Sequence, residues 1–179
     1  MLDGGSENDV LYGELGNDFM MGGKGDDIYY VDSSGDTVLE GADAGYDRVF
    51  ASASFSIAGQ HVEELWLTGT ASIDFYFDTA LSATKNVDRI DSFSVAEDTI
   101  MLDRTVFTGV GANGTLSSSA FFAGTAAQDA DDRIVYDSAS GKIFYDADGS
   151  GGGAAVLFAQ VAAGTALTNL DFQAYLPPA

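Results

Sequence analysis

An all-β fold is predicted: a parallel β-roll, that is a right-handed β-solenoid, closed by a C-terminal cap of β-strands. Three features predict it. A nine-residue phrase repeats in register as Gly4–Tyr12, Gly13–Met21 and Gly22–Tyr30. Strand-like patterns continue past Phe50, and a strand meander begins near Arg133. The expected division is a repeat roll over residues 1–78 and a capping region over residues 79–179.

Each phrase splits into six loop residues and three strand residues. The loop glycines permit positive φ, so the chain can turn tightly and point its carbonyls inward. The triplets Val10–Tyr12, Phe19–Met21 and Ile28–Tyr30 are apolar and suit extended backbone. One loop plus one strand makes half a coil, so alternate phrases stack on the same side. Neighbouring strands lie about 4.8 Å apart, and calcium takes oxygen ligands at about 2.3–2.6 Å. Twice that ligand distance is about one strand spacing, so carboxylates from two stacked loops can share an ion. The spacing pairs Asp9 with Asp27, and Asp18 with Asp36. Carbonyls of Gly5, Glu7, Gly22, Lys24, Glu14 and Gly16, with their neighbours Gly23, Gly25, Val31 and Ser33, are expected to complete the ligand sets.

The fourth repeat, Val31–Leu39, keeps Asp36 at its sixth position but lacks both opening glycines. After an insertion of Glu40-Gly41 a fifth copy follows over Ala42–Phe50, in which Asp47 completes a third site with Asp27. Two to three or more calcium ions are therefore expected. Val62–Gly69 and Asp74–Asp78 read as further coils. Residues 109–130 read as loop with one short helix near Ser118–Phe122. In the meander, Ile134–Tyr136 and Lys142–Tyr145 flank the turn residues Ser138–Gly141, and a third strand covers Ala155–Val161. Asp146–Gly151 resembles the start of an EF-hand loop, but the twelfth-position Glu is absent and strands surround it, which favours a polar turn.

An open solenoid end exposes core and strand edges, so the non-repetitive half is the natural cap. Only the middle residue of each triplet (Leu11, Met20, Tyr29, Val38) need face inward. The flanking Val10, Tyr12, Phe19, Met21, Ile28 and Tyr30 are apolar as well. Such a patch is expected to be covered by the C-terminal half or by a partner chain.

Seven basic residues against 28 acidic ones give a formal charge of −21. Nucleic acid and anionic membrane surfaces are therefore excluded as partners. Three bound calcium ions would bring the charge to −15, with the relief concentrated at the loops. Ion binding at sites absent from the unfolded chain contributes directly to folding. There are no cysteines, hence no disulfides and no thiolate zinc site. Ala154–Ala159, the most apolar late stretch, is too short to cross a bilayer. No basic-then-apolar leader opens the chain, and modules outside the cell use calcium sites of about 10⁻⁴–10⁻³ M. A secreted, extracellular protein exported without an N-terminal signal is expected.

Catalytic signatures are missing. The one histidine, His61, cannot build H-E-x-x-H, and there is no G-x-S-x-G elbow. Gly22-Gly23-Lys24-Gly25 lacks the Ser or Thr that a phosphate-binding loop needs after its lysine. The expectation is a module that is not an enzyme.

The nonamers, the Tyr30-Val31-Asp32 continuation and the Val62–Gly69 stretch resemble bacterial RTX (hemolysin-type calcium-binding) proteins, whose repeat is known to bind calcium. Asp88–Leu102 and Ile134–Asp148 look like the C-terminal module of RTX exoproteins, including serralysin-type proteases. The resemblance implies folding on calcium after type I secretion, and the type I machinery as a partner. It also implies a C-terminal signal around Leu170-Asp171-Phe172, and further calcium ligands at Asp91 and Asp98. The chain then reads as the C-terminal folding and secretion domain of a larger extracellular protein. The tail resembles the R-modules of alginate epimerases too, which leaves a carbohydrate-binding module, with a glycan as partner, as the alternative.

Overall fold

The computed structural model describes residues 1–41, 44–53, 55, 61–68, 72–78, 80–82 and 87–177. The repeats place strands β1 (Leu2–Gly5), β2 (Val10–Tyr12), β3 (Phe19–Gly23), β4 (Ile28–Val31), β5 (Thr37–Leu39) and β6 (Arg48–Ala51) in alternation on two sheets. Strands β1, β3 and β5 pair in parallel on one side, and β2, β4 and β6 on the other. This is a parallel β-roll, and its cause is the nonamer: a short apolar triplet can form one strand before the next glycine-containing loop turns the chain back.

The roll continues beyond the recognisable repeats, through β7 (Glu64–Leu67), β8 (Asp74–Phe77), β9 (Asp88–Asp91) and β10 (Thr99–Asp103). β7 joins β6 and β9 in parallel, while β8 pairs with β10 in another sheet. Part of Val62–Gly69, at residue 69, lies outside the described residues. In-register stacking lines up the inward residues. One column runs Leu11, Tyr29, Val49, Leu65, Ile90, all buried. Met20 and Val38 stack on the opposing sheet, and Phe75, Ile100 and Phe172 in the third.

The C-terminal half adds β11 (Gly114–Thr115), a 3-10 turn over Ser118–Ala120, β12 (Phe121–Ala123), β13 (Ile134–Asp137), β14 (Lys142–Tyr145), β15 (Val156–Val161) and β16 (Phe172–Tyr175). The meander forms as expected, with β13, β14 and β15 successively antiparallel. It caps by extension: β15 pairs in parallel with β9, and β16 with β10, so both strand edges at that end of the roll are hydrogen-bonded. Phe158 reinforces the junction, with its ring 5.1 Å from Phe77 and 5.0 Å from Phe107 in edge-to-face packing.

This geometry corrects the expected cover over the outward apolar residues. Leu11, Met20, Tyr29 and Val38 do point inward, but Val10, Tyr12, Phe19 and Tyr30 remain 51, 54, 37 and 37% exposed. The C-terminal half prolongs the sheet edge and leaves its outer face open. Parallel register supplies a partial substitute: Tyr12, Tyr30, Phe50 and Trp66 form a ladder with centroid separations of 4.6, 5.2 and 5.7 Å. The Tyr12 and Tyr30 rings are within 3° of parallel, so each hides a face of the other from water.

Asp146–Gly151 is the turn between β14 and β15. The Asp146 carboxylate accepts from the Asp148 amide at 3.2 Å, and that of Asp148 from the Gly153 amide at 3.0 Å. Among the described residues no helix is long and apolar enough to cross a membrane.

Candidate metal centre

The loops of the roll stack as closely as the strands they join. The Lys24 amide donates to the Gly5 carbonyl at 3.1 Å, and the Gly25 amide to the Ala44 carbonyl at 2.8 Å. Gly23 and Gly25 have φ of +104° and +121°, and a Cβ at either would run into the carbonyl of Gly5 or Glu7. Only glycine combines that backbone with so close an approach. The carbonyls of Gly5 and Glu7 thus lie against the next loop, with the Gly25 carbonyl against Gly45 in the same way. In the second repeat Glu14 takes the positive-φ position at +56°, followed by Gly16 at +139°.

The sixth-position carboxylates form a column. The Asp9 amide donates to Asp27 Oδ1 at 2.8 Å, and the Asp27 amide to Asp47 Oδ1 at 2.9 Å. The Asp47 amide donates to Glu63 Oε2 at 2.8 Å. On the opposite side the Asp18 amide donates to Asp36 Oδ1 at 2.9 Å. All three expected pairs (Asp9 with Asp27, Asp18 with Asp36, Asp27 with Asp47) are therefore neighbours.

The two sides differ in what remains. Oδ2 of Asp9, Asp27 and Asp47 is buried without a hydrogen-bond partner. Asp36 Oδ2 instead accepts from the amides of Asp32 and Ser33, each at 3.2 Å, because its own worn loop folds onto it. On that side the Val31 carbonyl accepts from the Ser52 amide at 2.9 Å, and the Ser33 hydroxyl accepts from the Gly35 amide at 3.2 Å.

Electrostatics follow the burial. Burial, with the charges of Asp9 and Asp26, pushes the Asp27 carboxyl up, although the Asp9 amide acts against this. Asp47 is pushed up to about 7, first by burial, then by the charges of Glu40, Glu63 and Asp27. Asp88, close to Glu63, is also pushed up to about 7, again mainly by burial. An unpaired buried carboxylate is costly, and the system demands either protons or a cation. Hard carboxylate and carbonyl oxygens are the donor set calcium prefers, and the orphaned Oδ2 atoms of Asp9, Asp27 and Asp47 fit it.

Three acidic residues of this region lie outside the expected ligand set. Glu40 and Glu63 join the acidic surroundings of Asp47, and Asp88 lies close to Glu63. Glu40 was legible in principle, since it follows Gly22 by eighteen residues, one full coil. Register on the β3–β5 pair makes Glu40 the counterpart of Gly22, and Gly45 stacks on Gly25, so the two extra residues fall between Glu40 and Gly45 and not at Glu40-Gly41. Residues 42–43 lie outside the described residues. Glu63 lies sixteen residues after Asp47 and obeys no repeat.

Asp91 and Asp98 stand apart from the column. Asp91 pairs with Arg89 Nε at 2.9 Å. Buried Asp98 accepts from the amides of Ile73 at 3.0 Å and Ser94 at 2.8 Å, clamping the 94–98 turn beside β8.

Stacked parallel coils with acidic, carbonyl-rich loops define the class: a β-roll repeat protein built to hold cations in its turns. The family model for the RTX calcium-binding nonapeptide repeat matches residues 1–41, in four copies, so this segment of the chain is an RTX-type calcium-binding repeat module. No curated protein and no solved structure matches the chain significantly.

Proposed function

We propose that the chain is a calcium-triggered folding module: the C-terminal folding and secretion domain of a larger extracellular protein exported by a type I system. The observation that carries the reading is the set of three buried, unpartnered carboxylate oxygens at Asp9, Asp27 and Asp47. Such a column opposes its own formation in calcium-poor surroundings and favours it where calcium is abundant. Bound calcium supplies the positive charge that lets these carboxylates stay ionised inside the roll. The chain's residues do the rest. Glycines bring loop carbonyls into range, Asp side chains tie successive loops together, and the C-terminal strands β15 and β16 cover the edges left by β9 and β10. Two to three or more ions are bound, and the module itself is non-catalytic.

Far-UV circular dichroism of metal-free protein during a calcium titration, with magnesium as control, tests the reading. A cooperative gain of β-signal with calcium alone is expected. A spectrum already β-rich and unchanged by calcium overturns the folding switch. Export is tested separately, by fusing a reporter ahead of the chain and asking whether its release requires a type I transporter.

A second reading, a glycan-binding accessory module, has one observation in its favour. Tyr12, Tyr30 and Phe50 line an outer groove of ≈190 Å³ with Glu14, Asp32, Ser52 and Thr68. Its acidic lining suits a neutral glycan. Calorimetric titration of neutral oligosaccharides into calcium-loaded protein separates the readings, since absence of heat removes the second.

A further inference from the structure

The three loops on one side of the roll begin at equivalent positions: Gly4, Gly22 and Glu40, spaced by eighteen residues. Strand register supports the equivalence. Met21 pairs with Leu39 on adjacent strands, and the next residues are Gly22 and Glu40. A side chain at this position points into the roll, since a Cβ at Gly22 would collide with the Asp27 carboxylate and the Tyr29 hydroxyl. At the third coil the repeat abandons glycine and inserts a carboxylate there.

Glu40 is 3% exposed and accepts a hydrogen bond from the Tyr29 hydroxyl. Its carboxylate lies with those of Asp27 and Asp47 so that one oxygen from each falls within 4.8 Å of the others. Independently of this clustering, Asp27 and Asp47 are each 0% exposed, and each keeps a buried Oδ2 without a hydrogen-bond partner. Two fully buried acceptors left unsatisfied beside a third carboxylate are the arrangement that a positive charge stabilises.

We propose that Glu40 is a side-chain calcium ligand that turns the Asp27–Asp47 site into a three-carboxylate centre, the tightest of the array. The inference rests on the calcium reading above and adds a ligand that the nonapeptide repeat does not contain. The Asp9–Asp27 level has glycines, Gly4 and Gly22, at the corresponding positions, and among the described residues no three-carboxylate cluster forms there. Calcium affinity rises with the number of charged ligands and the rigidity of the site. Glu40 contributes on both counts, because Tyr29, itself fully buried, holds its carboxylate in place.

The test is calorimetric calcium titration of the full chain and two variants, Glu40→Gly, which restores the repeat glycine, and Glu40→Gln, which keeps size and an acceptor for Tyr29. Wild-type protein is expected to show one ion bound more tightly than the rest. Both variants should weaken that ion by about tenfold or more while leaving the other ions in place. Circular dichroism at saturating calcium checks that each variant is folded. Unchanged affinities in both variants overturn the proposal and leave the RTX reading standing. Full retention by Glu40→Gln with loss in Glu40→Gly assigns the effect to packing around Tyr29 and also overturns it. No calcium binding by the wild-type chain overturns both the proposal and the reading beneath it.

Discussion

The Asp27 amide donates to the Asp47 carboxylate at 2.9 Å, repeating one coil later the bond by which the Asp9 amide reaches Asp27 at 2.8 Å. Asp27 and Asp47 thus each spend one oxygen on joining coils and keep the other for a cation. A single residue type therefore supplies both the mechanical link and the charge that resists it.

Asp27 sits in the middle of this column and serves two levels, whereas Asp9 serves one. Asp27→Ala is predicted to raise the calcium midpoint of folding more than Asp9→Ala does. Circular dichroism titrations of both variants check the order, and equal midpoints would count against a shared ligand.

Asp36 presents the opposite case. Its oxygens accept from the amides of Asp18, Asp32 and Ser33. Asp36→Ala is predicted to destabilise the roll by about 1–3 kcal/mol even in calcium, through amides left unsatisfied. Urea unfolding at saturating calcium measures this, and no shift in midpoint would show those amides to be solvated.

The pH dependence of the metal-free form has a definite sign. Asp88 is pushed up from 3.8 to about 7 in the folded protein, so the fold holds its proton more tightly than the unfolded chain does. Its contribution to stability is fully present below about pH 4 and is lost as pH rises through about 7. Asp47, also pushed up to about 7, acts in the same direction. Metal-free protein is expected to melt at progressively lower temperature from pH 4.5 to pH 7.5 (about the span between the two pKa values), and saturating calcium should flatten the trend. Thermal melts along that series, with and without calcium, test the sign.

Gly25 has φ of +121° and lies against the Glu7 carbonyl. Gly25→Ala is predicted to cost about 1–3 kcal/mol through strain and loop separation. Gly152, where an added methyl group would meet open space, provides the control site: Gly152→Ala should change the unfolding midpoint little. A harmless Gly25→Ala would mean that the loops tolerate wider spacing.

Tyr30 stacks between Tyr12 and Phe50 on the outer face. Tyr30→Ala should destabilise the calcium-loaded roll by about 1–3 kcal/mol despite the exposure of the residue, because two ring contacts are lost. Guanidinium unfolding in calcium reads the effect, and a neutral result would make the ladder incidental to stability.

The sequence by itself determined the coil, the inward triplet residues and the pairing of Asp9 with Asp27 and Asp18 with Asp36. These depend on a fixed period, and strand alternation and loop length act locally, so spacing carries them. The meander from Ile134 to Val161 was legible for the same reason. Only the tertiary structure decided what happens where the period breaks. It set Glu40 in the place of a repeat glycine, one coil after Gly22, with the repeat resumed where Gly45 stacks on Gly25. It also brought Glu63 under the Asp47 amide from an unrelated segment, and set β15 on β9 so that the cap lengthens the sheet and leaves its outer face uncovered. The physical reason is the same in each case: local backbone preferences set a repeat, whereas the occupant of a buried position opposite it is chosen by packing and charge between residues distant in the chain.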